Sequence, residues 1–208
     1  MRIAVIGAGN MGRALAGSLV RAGHEVSIAF GRDEAKIAAA AQETAAQLAA
    51  PDVAVAAAEI VLLTVPPEAI DAALAATGSL AGLIVVSVSS GLTLDPTGGQ
   101  VGLPTHRTAS VAEEVAAKAE GARVVQSFTL AFAELIAAGG DGQAVLPVAG
   151  DDAVAVAKVS KLVKDIGFIP LPCGGLRSAR ALESLATAFA QFGVVANVAP
   201  MAGMALTH

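Results

Sequence analysis

The sequence predicts an α/β fold, a doubly wound and mostly parallel sheet with a small helical part at its C-terminal end. Three observations predict it. Apolar strands alternate with helical stretches of roughly ten to fifteen residues. Those strands are apolar on both faces, as parallel strands covered by helices must be. The first of them runs directly into a turn, IGAGNMG, that carries glycine at 7, 9 and 12.

The elements follow in order. RIAVIG is the first strand, and residues 10–22 form its helix, ended by Gly23 in a C-cap position. EVSIAF is the second strand. Asp33 suits the N-cap of a helix reaching about residue 46. AQLA is a weak third strand, and Pro51 opens a short helix that ends near residue 59. IVLLTV is a strand, followed by Pro66-Pro67 and a helix to about residue 77. LIVVSV is another, opening into a polar, glycine-rich stretch over 89–104. Ser110 caps a helix to about residue 120, ARVVQSF is a strand, and a helix covers about 130–138. AVLPVAG and GFIPLP are the last strands, with Asp151 and Asp152 starting the helix between them. From Gly175 the pattern is helical, bent or broken at Pro200. The alternation implies right-handed βαβ units. The domain boundary is set near Cys173: residues 1–172 form a Rossmann-like nucleotide-binding domain, and 173–208 a C-terminal helical segment and subunit contact.

Composition narrows the function. The chain has 208 residues, 55% of them hydrophobic but only 3% aromatic. Its mean hydropathy of +0.68 raises the question of a membrane span. The longest uncharged run follows Glu183, yet it contains Thr187, Gln191, Asn197 and Pro200. A spanning helix needs about 20 predominantly apolar residues, so this run reads as a buried helix or subunit contact. MRIAVIG enters the glycine turn directly, so no secretory signal is expected. Cys173 is alone, which excludes an internal disulfide and fits a reducing cytoplasm. A formal net charge of −5, with no basic run, argues against nucleic acid as a partner.

Glycine costs about 0.5–1 kcal/mol relative to alanine inside a helix or strand, so three in six positions must answer a backbone need. G-A-G-N-M-G, residues Gly7, Ala8, Gly9, Asn10, Met11 and Gly12, fits the dinucleotide fingerprint. It lies between a strand and a helix at the start of a βαβ unit, the context the motif requires. The first glycine permits a tight turn, the second leaves room for a pyrophosphate, and the third lets helix and strand pack closely. Backbone N–H groups at the helix start then meet the anion. An NAD-binding chain places an acidic residue about 20 positions on. Here Gly31-Arg32 stands at that point, with Lys36 one turn further. Arginine pairs with a 2′-phosphate and stacks on adenine. Asp33 is the competing ribose ligand, but its place suits an N-cap, so the nucleotide is read as NADP. Thr64, Val65 and Pro66 end a strand at the expected cofactor edge, near the nicotinamide half. Phe128, Thr129 and Leu130 follow another, and are expected to line the cleft facing the nicotinamide as an apolar wall.

Side chains for proton transfer are scarce. Histidine occurs only at 24, 106 and 208. His24 lies in a helix-to-strand turn, which leaves His106 as the candidate acid or base. Tyrosine is absent, and no cluster has metal-ligand spacing. An enzyme built this way needs chemistry that asks little of side chains. Direct hydride transfer between two bound redox molecules meets that condition.

With those residues placed, the chain resembles the NADPH-dependent coenzyme F420 reductases (F420:NADP oxidoreductases). The likeness runs through IGAGNMG, RAGHEV, the GRD turn, LLTVP, SVAEEVAAKAEGARVVQSF, LPVAGDD and LRSARALESLA. Pyrroline-5-carboxylate reductases share the glycine turn, but follow the nucleotide domain with helices alone. The resemblance implies NADP and F420 meeting in a cleft between a Rossmann domain and a small C-terminal part, commonly in a homodimer. It also marks departures. Family members often carry Ser-Arg where this chain has Gly31-Arg32. They have histidine before threonine in the deazaflavin pocket, where Phe128 precedes Thr129 here. They tend to Ala-Gly-Pro-Leu at Cys173 to Leu176. Other acceptors, a flavin or another small molecule, and a non-catalytic NADP-binding sensor stay open alternatives.

Overall fold

The computed structural model describes residues 1–91, 93–94, 101–102, 108–140, 142–195 and 203–205. Its strands are β1 (Arg2–Ile6), β2 (Glu25–Ala29), β3 (Gln47–Leu48), β4 (Ile60–Leu63), β5 (Ile84–Ser87), β6 (Thr93–Leu94), β7 (Val101–Gly102), β8 (Arg123–Ser127), β9 (Val145–Gly150) and β10 (Ile169–Pro172). Its helices are α1 (Asn10–Arg21), α2 (Glu34–Thr44), α3 (Pro51–Ala57), α4 (Ile70–Thr77), α5 (Val111–Lys118), α6 (Ala133–Ala138), α7 (Ala153–Asp165) and α8 (Ala179–Val195). One sheet holds eight strands in the order β10-β9-β8-β5-β4-β1-β2-β3. The strand order reverses at β1, which lies between β2 and β4 with both neighbours parallel to it. Ligands of open α/β sheets bind outside the strand C-termini at such a reversal.

Strand composition explains the layers. Residues of β1, β4 and β5 are buried throughout apart from Arg2, because helices cover both faces. Ile3, Val5, Leu62 and Val86 pack on one side against α1; Ala4, Val61, Val85 and Val124 pack on the other against α3 and α5. The edge strand β10 carries Pro170 and Pro172, whose missing N–H groups blunt an edge.

Within the eight-stranded sheet, among the described residues, the antiparallel junction is β8 with β9. The chain re-enters the sheet at the end it left. Between the two strands, α6 docks on α1: Ser18 Oγ donates to Ile136 O at 2.6 Å and Arg21 Nη2 to Ala137 O at 2.6 Å.

Two expectations shift. The helix expected over 130–138 begins at Ala133, because Phe128 adopts φ +64° and the chain turns before it can wind. Inside the stretch read as a loop over 89–104, β6 and β7 form a short antiparallel pair. Pro200 lies outside the described residues. Among them, no helix is long and apolar enough to cross a membrane.

Candidate active site

The three glycines of the turn do different jobs. Gly7 has φ +125°, and a Cβ there would stand 2.7 Å from Thr64 Oγ1. At Gly12 a Cβ would stand 1.8 Å from Gly7 O, so only glycine lets α1 start this close to β1. Gly9 is the exception: a Cβ on it would meet nothing within 4 Å. Internal packing explains the first and third glycines, whereas the second faces open space. Thr64 Oγ1 lies 3.1 Å from Ile6 O and 2.9 Å from Gly7 O, tying the end of β4 to the turn. Gly9 is the N-cap of α1 but supplies no side-chain cap, and the first turn of α1 has no acidic residue. The free N–H groups there, at the positive end of the helix dipole, suit an anion.

A cavity of about 560 Å³ opens on this turn. It takes in Gly7, Ala8 and Gly9, then Gly31, Arg32 and Lys36 beyond β2, and Thr64, Val65 and Pro66 beyond β4. Asp33 Oδ1 accepts from Ala35 N at 3.0 Å and Lys36 N at 3.3 Å, so it caps α2. Arg32 and Lys36 are exposed, and Lys36 Nζ lies 3.8 Å from Asp33 Oδ2. Phe30, expected only as the end of the second strand, also lines the cavity, with φ +68°. The remaining fingerprint residues lie elsewhere. Asn10 faces a groove between α1, α2 and α6, Met11 faces a second cavity, and Gly12 is buried in packing.

That second cavity, about 370 Å³, shares Thr64, Val65 and Pro66 with the first. Thr129 lines it, but Phe128 and Leu130 do not. Both are buried, at 0% and 1% exposure, and Phe128 belongs to the core cluster on the α1 side. The left-handed backbone at Phe128 turns its ring inward, which corrects the expectation that it lines the cleft. The aromatic wall comes instead from Phe132 and Phe189, whose ring centroids are 5.4 Å apart at 31°. Both lie in the cavity wall with Ser89 and Ser90. Phe132 sits beside the expected segment, whereas Phe189 comes from α8, and no local pattern connects the two. None of the described lining residues is ionisable.

A polar clamp holds α8 against this cavity. The buried Glu183 accepts from the backbone N–H groups of Val111 at 2.9 Å and Ala112 at 3.1 Å, at the start of α5. Ser110 and Glu113 form a capping box there, and Arg180 donates twice to Glu113, at 2.7 and 2.8 Å. Arg180 beside it holds the Glu113 carboxyl at a pKa of about 2, with the Ser110 hydrogen bonds adding to the effect. The segments SVAEEV and LRSARALESLA, far apart in the chain, thus hold each other.

Other candidates fall into structural places. His24 Nε2 lies 3.1 Å from Asp165 Oδ2, and burial pushes its pKa down. Asp152 caps α7 through Ala155 N at 2.7 Å, and Asp151 accepts from Leu176 N at 2.9 Å. Burial pushes the Cys173 thiol up. His106 lies outside the described residues. Among the described residues no group of three His, Cys, Asp or Glu could hold a metal ion.

Comparison with known proteins gives this geometry its context. Residues 2–91 match the family described as NADP oxidoreductase, coenzyme F420-dependent. A crystal structure from Arthrobacter sp. FB24, provisionally assigned as an F420-dependent NADP reductase, is 29% identical with a TM-score of 0.84 over 96% of both chains. A hypothetical protein, SMa0349 of Sinorhizobium meliloti, is 28% identical with a TM-score of 0.74, over 86% of this chain and 88% of that one. The metalloreductase STEAP3 of Rattus norvegicus is 30% identical over 185 residues, 88% of this chain but 36% of that protein. The chain therefore spans about 36% of the length of this curated relative. The family match over 2–91, the near full-length structural likeness and the Rossmann-like sheet agree: the N-terminal part of the chain is similar to the coenzyme F420-dependent NADP oxidoreductases, and the fold as a whole is that of an NADP-binding protein.

Proposed function

We propose that this chain transfers hydride between NADPH and coenzyme F420. The observation that carries the reading is the junction at Thr64, Val65 and Pro66, which belong to both cavities. The first cavity suits NADP. Gly9 leaves room for the pyrophosphate, the N-terminus of α1 offers free N–H groups, and Arg32 with Lys36 supplies charge for a 2′-phosphate. When bound there, NADPH supplies the hydride. The second cavity is uncharged and carries two phenylalanines, a surface for a planar ring. Such walls exclude water from the path between the two sites, and hydride transfer needs no acid or base from them. Residues 1–172 serve as the nucleotide-binding unit in this reading, and the segment from 173 closes the acceptor side.

Steady-state oxidation of NADPH with F420, FMN and a panel of other acceptors tests the proposal. Turnover with F420 is expected. Turnover with FMN alone would favour a flavin reductase, and none with any acceptor would favour a sensor. We further propose a homodimer joined through α8, where Leu185 is 42% exposed; sedimentation as a monomer at micromolar concentration would count against it. The lone Cys173 suits a cytoplasmic setting.

A further inference from the structure

Two polar side chains are buried at the acceptor end of the sheet without full partners. Ser87 ends β5 at 1% exposure, and Gln126 in β8 is at 0%. They are register partners across parallel strands. By strand alternation they share the face of Val85 and Val124, the side covered by α5. Ser87 Oγ and Gln126 Oε1 are without a hydrogen bond among the described residues. Buried polar groups are costly unless they serve something. The other end of the Gln126 amide is engaged: Nε2 donates to Thr129 Oγ1 at 2.5 Å. Thr129 in turn lines the second cavity.

We infer that Gln126 is a positioning residue that sets Thr129 as a hydrogen-bond donor to the acceptor molecule, so that the pocket selects a planar ring with a carbonyl oxygen at its edge. This rests on reading the second cavity as the acceptor site. A hydroxyl has one proton to give and two lone pairs. With a lone pair of Thr129 occupied by an amide N–H, its proton is left for an acceptor atom in the cavity. The reversed amide would take that proton on Oε1, and Thr129 would then offer only lone pairs. Flavins and deazaflavins both carry ring carbonyls, so one donor serves either.

The test is a double-substitution cycle read by direct titration of F420 and FMN, with NADPH titrated on the same samples. Thr129→Val should weaken F420 and FMN by roughly 3- to 10-fold, the scale of one neutral hydrogen bond, and leave NADPH unchanged. Thr129→Ser should retain tight binding. Gln126→Met should weaken the acceptors in the same direction. The double variant should lose no more than Thr129→Val alone, because Gln126 acts through Thr129. If Gln126→Met does not fold, the contrast of valine with serine at 129 decides alone. Additive losses, or equal binding by the valine and serine variants, would overturn the inference. An unaltered protein that binds NADPH but neither F420 nor FMN would overturn the acceptor reading and this inference together.

Discussion

The two cavities that meet at Thr64 are built in different ways. The glycine turn of the proposed nucleotide side is local. Gly7, Gly9 and Gly12 lie within six positions, and the roles of two are set by contacts inside the same strand-turn-helix unit and Thr64. The proposed acceptor side is assembled from distant pieces: Thr129 and Phe132 after β8, Ser89 after β5, and Phe189 from α8. The last of these is held by the Glu183 and Arg180 clamp on α5. Backbone demand shapes the first side and long-range packing the second.

The glycines offer the sharpest way to break this comparison. Gly12→Ala drives a Cβ into Gly7 O and should destabilise the fold by about 3 kcal/mol or more, read as a fall in Tm and in urea midpoint. Gly9→Ala meets open space, so stability should change by less than about 1 kcal/mol while NADPH affinity falls. Equal damage to stability at both positions would remove the distinction between packing and ligand glycines.

On the acceptor side the parallel test is Phe128. Replacing it with histidine puts a polar ring into a fully buried site, at a cost of about 3 kcal/mol. Stability should fall while the ratio of kcat/KM for F420 and FMN stays put. A changed ratio with unchanged stability would place Phe128 in the pocket after all.

That contrast also marks how far the sequence could be read. The main strands along the chain, though not their order in the sheet, followed from apolar runs and turn residues, and Asp33, Ser110 and Asp152 cap their helices as their positions predict. The fingerprint was legible because glycine answers a local backbone need. Phe128 was misread because nothing local distinguishes an aromatic beside a cleft from one beneath it. Its positive φ, a tertiary outcome, made the difference. Phe189 was missed for the same reason, since it meets Phe132 only once α8 reaches that end of the sheet. The later start of α6 also depended on that turn.

Smaller effects refine the two halves. Arg32→Ala should weaken NADPH by roughly 10- to 100-fold, one charge-assisted contact, and barely alter NADH. Isothermal titration with both nucleotides would show it, and equal losses would refute the assigned role. On the α8 side, the folded pKa of Glu113 is depressed from 4.5 to about 2. Its contribution is therefore complete above the unfolded value and lost as pH falls from about 4.5 towards 2. Partial exposure keeps the effect on the order of 1 kcal/mol. Glu113→Gln should flatten the stability profile over that window, measured by urea unfolding at each pH.

The proposed reaction is direct hydride transfer across the Thr64 to Pro66 junction. Its decisive test is reduction of F420 with NADPH deuterated at the reactive nicotinamide carbon, followed by mass spectrometry of the product. The label is expected to pass to the hydride-accepting ring carbon of the deazaflavin, in ordinary water. Reduced product carrying solvent hydrogen at that carbon would contradict it.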